Sequence, residues 1–310
     1  MRKLLLSVCM VMSIAVAALA EETTGNLPVD DTFEKAQKWL SKENLTVTGN
    51  SSGQRDDVAA FGQEAMLFLG EGFGNPAHTN SAQRETNAKR AAVVVAQRSL
   101  AEYLEGFALV GDTSVKEGTI QYDLVRSSVA AYVKGSQVVF QDYSKDKDMA
   151  IAIIKVGLHG PRGFGSLVYD KMVADPKLKK EMTSTKPAFK TPPVQLDEVY
   201  DGLIVDATEQ NFQPALINRL FSANGEVLYD PAKISKKVLV EQGCGEYTSS
   251  VDRATAALLT RGVMNPLIVK ADGSPSRADL QLSDEDAVKV YTANQKAGFF
   301  STAKVAFVVK

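Results

Sequence analysis

Apolar residues recur at two spacings along this chain, and each switch between them marks an element boundary. Over DDTFEKAQKWLSKEN, residues 30–44, Phe33, Ala36, Trp39 and Leu40 share one helical face behind acidic N-terminal residues. That pattern predicts an amphipathic helix. LTVTG (45–49) and EAMLFLGEG (64–72) read as strands, although an apolar run as short as the second is shared by buried helices. From Ser81 to Gly106 the run SAQRETNAKRAAVVVAQRSLAEYLEG has a serine N-cap, Glu85 in its early turns and a closing glycine, and predicts the longest helix, 81–105. Ala88, Ala91, Ala92, Val95, Leu100, Tyr103 and Leu104 give it a broad, shallow apolar face suited to close packing on a sheet.

Polar residues 111–124 form an excursion, followed by VRSSVAAYVKG and then by QVVFQDYS (137–144) and MAIAIIKVGL (149–158), two β-branched runs joined by KDKD as a hairpin. Residues 170–197 are rich in Lys and Pro and poor in large apolar side chains, which predicts a linker. Beyond it come a strand in YDGLIVDAT, a hairpin turning at Asn224-Gly225, a short helix VDRATAALLT, and a strand in NPLIVKADG. A helix capped by Ser283 with Asp286 in the capping-box position, and a last strand AKVAFVVK, complete the chain. Strands outnumber helices and adjoin one another. The expected class is therefore α+β: two domains, 21–169 and 198–310, each a small mainly antiparallel sheet packed against helices.

The first twenty residues change the picture of where this chain works. Arg2 and Lys3 precede the apolar run LLLSVCMVMSIAVAALA, which closes on Ala18 and Ala20, so residues 1–20 read as a secretory signal cleaved after Ala20. The expected location is the periplasm or beyond, with no transmembrane segment in the mature chain. Cys9 follows Val8 rather than a small residue, which argues against lipid attachment. Cys244 is then the single thiol of the mature protein, and no intramolecular disulfide is expected. Loss of Arg2 and Lys3 moves the net charge from −2 to about −4, so bulk electrostatics favours neither nucleic acid nor anionic lipid.

Candidate chemistry is sparse. GEGFGNPAHTNS (70–81) has Gly70 and Gly72 of a dinucleotide-binding loop, but Asn75 stands at the third glycine position and five residues, 76–80, separate it from the helix start at Ser81. The expected role of these glycines is positive φ and close packing rather than phosphate binding. GLHGPRGFG (157–165) places His159 and Arg162 among four glycines, a possible anion-binding loop. Cys244 is a possible free thiol. His78 and His159 lie too far apart in sequence to suggest zinc, and the acidic clusters DYSKDKD and SDEDA lack calcium-loop spacing. No catalytic residue, metal or cofactor is expected.

In its order of features, residues 64–158 resemble a bacterial envelope family typified by the 20-kDa outer-membrane lipoproteins and the N-terminal domain of flagellar assembly protein T. The shared features are the glycine-containing strand end GEGFG, the Ala-rich helix TNAKRAAVVVAQRSLAEYLEG, the serine-containing VRSSVAAYVKGSQVVFQDYS and the closing strand MAIAIIKVGL. GLIVDATEQNFQPALINRLFSANGEVLYD and NPLIVKA resemble a unit that accompanies such domains in other bacterial secreted proteins, typical versions having glycines where this chain has TEQNF. Neither resemblance implies catalytic residues. Together they lead to the expectation of a non-enzymatic assembly or scaffold protein of the envelope, with an envelope protein or a second copy as partner. The alternatives are a module binding a small ligand or glycan between its domains and, with least support, a secreted hydrolase.

Overall fold

The computed structural model describes residues 31–114, 123–174 and 176–310; the expected signal, 1–20, and residues 115–122 of the polar excursion lie outside the described residues. The first half runs α1 (Asp31–Glu43), β1 (Gly49–Asn50), α2 (Asp57–Gly62), β2 (Ala65–Phe73), α3 (Ser81–Glu105), β3 (Ala108–Val110), β4 (Thr113–Ser114), α4 (Asp123–Lys134), β5 (Gln137–Ser144) and β6 (Met149–Gly157). Its main sheet has the order β1-β2-β6-β5, antiparallel across β2, β6 and β5, with the two-residue β1 parallel to β2. The expected 137–158 hairpin is present. LTVTG enters the sheet only at its end, where Thr48 donates to the Leu67 carbonyl at 2.8 Å and takes the Leu67 amide on its hydroxyl at 2.6 Å.

Alternation along β2 and β6 splits their side chains between two helices. Leu67, Met149, Ile151 and Ile153 pack with Ala36, Phe33, Trp39 and Leu40 of α1. On the opposite face Ala150 and Ala152 meet Ala88 and Ala92 of α3. The buried face of α3 is Ala88, Ala92, Ala96, Ser99, Leu100, Tyr103 and Leu104, so Ala91 and Val95, expected inside, are only half-buried, and Ala96 and Ser99 replace them. Its N-cap is Asn80 rather than Ser81: the Asn80 side chain accepts the amides of Ala82 and Gln83.

In the second half come α5 (Phe164–Ala174), α6 (Pro176–Met182), β7 (Gly202–Asp206), β8 (Arg219–Phe221), β9 (Val227–Tyr229), α7 (Lys236–Gln242), β10 (Glu246–Thr248) and α8 (Val251–Thr260). They are followed by β11 (Pro266–Lys270), β12 (Gly273–Ser276), β13 (Asp279–Gln281), α9 (Asp284–Ala297) and β14 (Val305–Val308). The stretch 170–197, expected as a linker, is helical over 170–174 and Pro176–Met182 and then lies on the second half as extended chain. Phe189 is buried, its amide donates to the Val227 carbonyl at 2.8 Å, and the Val227 amide donates back to the Pro187 carbonyl at 2.8 Å. Proline lacks an N–H but keeps its acceptor, so a Pro-rich segment can still edge a sheet.

The α+β class holds, with one departure in detail. The sheet β10-β14-β7-β11 is parallel throughout, not antiparallel. Helices intervene between its successive strands, and a helix that returns the chain across a sheet brings the next strand in parallel. Ile204, Ala306 and Val308 face Ala254 and Leu258 of α8, while Leu203, Val205, Val305 and Phe307 face the main core. The smaller sheet, β12-β13-β8-β9, is mixed, and Gly225 at φ +76° makes the expected turn between β8 and β9. The main core draws on both halves: Phe61 and Tyr247 rings lie 4.6 Å apart, and the Ile217 amide donates to the Leu109 carbonyl at 2.9 Å.

Candidate functional site

The loop after β6 folds back on itself, with the Gly163 amide on the Gly160 carbonyl at 3.0 Å and the Gly165 amide on the Leu158 carbonyl at 3.0 Å. Gly160, at φ +84°, also donates to the Val240 carbonyl at 2.7 Å and docks the loop on α7. His159 is thereby pressed against Gly243, where a β-carbon would lie 2.5 Å from its Cε1, and its ring centre is 6.2 Å from that of Phe61. Its Nδ1 is enclosed with no hydrogen-bond partner. Burial, reinforced by the charge of Arg261, lowers the imidazole pKa from 6.5 to about 4. Arg162, three residues further along the loop, is exposed. The two residues suggested by GLHGPRGFG thus lie on one loop, the imidazole Nδ1 enclosed and the guanidinium residue at the surface.

Cys244 lies inside the core, where Sγ is 3.1 Å from the Tyr247 hydroxyl and 3.7 Å from the Ala215 carbonyl. Tyr247 also hydrogen-bonds Asn218, whose amide nitrogen donates to the carbonyls of Gln213 at 3.1 Å and Ala278 at 2.7 Å. Tyr229 donates to the Cys244 carbonyl at 2.7 Å. Burial pushes the thiol pKa up, against the opposing pull of the Tyr247 hydrogen bond. This is a satisfied buried network that ties 215–218 to 244–247, not an activated nucleophile.

A better-formed site lies where residues 180–186 cross one end of the mixed sheet. The two walls enclose a cleft of about 870 Å³, a volume within the range of small-molecule sites. Arg219 and Phe221 from β8 and Asp279 and Gln281 from β13 line one wall, and Lys180, Thr183, Ser184, Thr185 and Lys186 the other. Parallel pairing of β13 with β8 sets Asp279 beside Arg219 in register. Their contact is bidentate, Nε to Oδ1 at 2.8 Å and Nη2 to Oδ2 at 2.6 Å, and Ser276 Oγ donates to the same Oδ2 at 2.8 Å. The strap is anchored by the Ser184 amide, which donates to Asp230 at 3.1 Å. Thr183 Oγ1 is enclosed and has no hydrogen-bond partner. Among the described residues, no group of three or more His, Cys, Asp or Glu is placed to hold a metal ion.

Residues 202–310 match the family model of Treponema pallidum Tp0624, second domain. The match starts at the first residue of β7 and takes in both second-half sheets. It includes the Arg219–Asp279 wall of the cleft and leaves the 180–186 strap outside. The second half is thus similar to a bacterial protein domain. No curated protein matches the chain.

The cleft escapes the sequence reading because its two walls lie far apart along the chain. One signal was there: Arg219 in NRLF and Asp279 in ADLQL are single opposite charges embedded in short apolar runs. Such charges are buried only when paired.

Proposed function

We propose that this protein is a non-enzymatic binding module of the bacterial envelope, periplasmic or at the cell surface, that holds a small ligand in the cleft between residues 180–186 and the mixed sheet. The observation that carries this reading is the cleft itself, with its size and its mixed polar and apolar lining. The signal-like segment 1–20 and the likeness of residues 64–158 to envelope lipoproteins and the flagellar assembly protein support the location. Sealing of Cys244 and enclosure of His159 argue against a hydrolase built on either group. The test is a melting screen of the full chain against glycans and metabolites, run beside Gln281→Trp, which fills the cleft. At least one compound should raise the melting temperature of wild type and not of the variant, because binding to the native state alone stabilises it. Equal responses of the two proteins across the screen would remove the reading.

A second reading, assembly, is supported by the open edge of β11. Val199, Met264 and Ile268 are exposed there, Met264 at 78 %. The fitting occupant is a second copy of this chain. An antiparallel pairing of two β11 strands about Ile268 would set Leu267 against Val269 of the other copy and cover the row. Light scattering and in-cell crosslinking of wild type and Ile268→Lys test this. A self-multiple that Ile268→Lys abolishes supports it, and a monomer at high micromolar concentration removes it.

A further inference from the structure

We infer that the ligand the cleft selects is a carboxylated sugar, an inference that rests on the ligand-binding reading. Charge comes first. Among the described residues, Asp279 is the one carboxylate lining the cleft, and it is already answered inside the protein by Arg219 and by the Ser276 hydroxyl. Lys180 and Lys186, on the facing wall, form no ion pair among the described residues. The walls therefore carry an uncompensated positive charge, which draws in an anion and rejects a cation.

The remaining lining narrows the class of anion. Hydroxyls of Ser184 and Thr185 and the amide of Gln281 line the cleft and offer donors and acceptors. Phe221 and Pro275 supply apolar surface in the same cleft. A bare phosphate would satisfy the lysines and leave both of these unused. An apolar acid would leave the hydroxyl row unpaired, which costs affinity. A sugar acid uses all three: the carboxylate with the lysines, the ring hydroxyls with Ser184, Thr185 and Gln281, and the C–H face of the ring with Phe221 and Pro275.

The test titrates the full chain with glucuronate, glucose and inorganic phosphate by calorimetry. Glucuronate should bind at least tenfold more tightly than glucose or phosphate and more weakly as salt rises. The double variant Lys180→Ala/Lys186→Ala should lose that tenfold preference at an unchanged melting temperature, since both lysines are exposed. Glucose binding as tightly as glucuronate, or a preference that survives in the double variant, overturns the acid and leaves the ligand-binding reading standing. Phosphate binding as tightly as glucuronate overturns the sugar. Failure of all three overturns the inference, and the response of Gln281→Trp in the wider screen then decides whether the ligand-binding reading falls with it.

Discussion

Gly70 and Ala96 meet backbone to backbone: a β-carbon on Gly70 would lie 3.0 Å from Ala96 Cα and would overlap the Ala92 carbonyl oxygen. One turn further along, a β-carbon on Gly72 would lie 2.8 Å from Ala91 Cβ. Neither glycine has positive φ, so the expectation of left-handed backbone in GEGFG is corrected, and close approach is the whole reason for glycine there. Helix α3 can sit this low on β2 only because one strand face is bare and the helix answers with alanine.

Gly70→Val should therefore destabilise the protein by about 3 kcal/mol or more, because the atoms in the way are backbone and cannot rotate aside. Gly135→Ala is the control: its β-carbon would meet the Ala131 and Tyr132 carbonyl oxygens at an ordinary 3.5 Å, and the change should stay within about 1 kcal/mol. Urea unfolding of both variants at one temperature checks the pair. Similar midpoints would mean that α3 shifts off the sheet at little cost.

Local features of the fold were legible in sequence, and non-local ones were not. The 137–157 hairpin, the 81–105 helix and the Ser283 cap each depend on residues within a few positions of one another, and the sequence pattern records them. The parallel sheet was hidden because GLIV, PLIV and VAFV are apolar on both faces, as strands covered on both sides are, and their partners are tens of residues away. The extended chain 183–197 was hidden by its composition, since its backbone bonds reach Val227 and Thr292 rather than its own residues.

His159 makes stability depend on pH in a defined window. Its folded pKa of about 4 lies below the ordinary 6.5, so between these values the unfolded chain binds a proton that the folded chain refuses. Stability should be full above pH 6.5 and fall by on the order of 3 kcal/mol as the pH drops towards 4. His159→Gln removes this component, and the difference between its unfolding free energies at pH 7 and pH 5 should be smaller than that of wild type. Equal differences in the two proteins would mean that the imidazole titrates as if exposed.

Cys244 should be inert in the native protein. Its burial and raised pKa leave no thiolate within reach of solvent, so a thiol-reactive chromophore should label it only after denaturant is added. Cys244→Ala should keep any ligand response of the protein and cost about 1–3 kcal/mol, through a small cavity and a weakened contact to Tyr247. Rapid stoichiometric labelling of the native chain would contradict the closed network.

The Arg219–Asp279 pair gives the clearest double-mutant test, because both side chains are nearly enclosed, at 14 % and 6 % exposure. Removing one partner leaves the other charge desolvated and unanswered, so Asp279→Ala should cost about 3–5 kcal/mol. Removing both need not. In Arg219→Met/Asp279→Leu the apolar surroundings supplied by Phe221 and the neighbouring strand residues should recover most of that loss. The coupling energy between the sites should then be large and favourable, where two independent sites would add. Additive losses would show that water reaches the pair and screens it. That result would also weaken the cleft, whose positive charge depends on Asp279 being answered by Arg219 and not by a lysine of the strap.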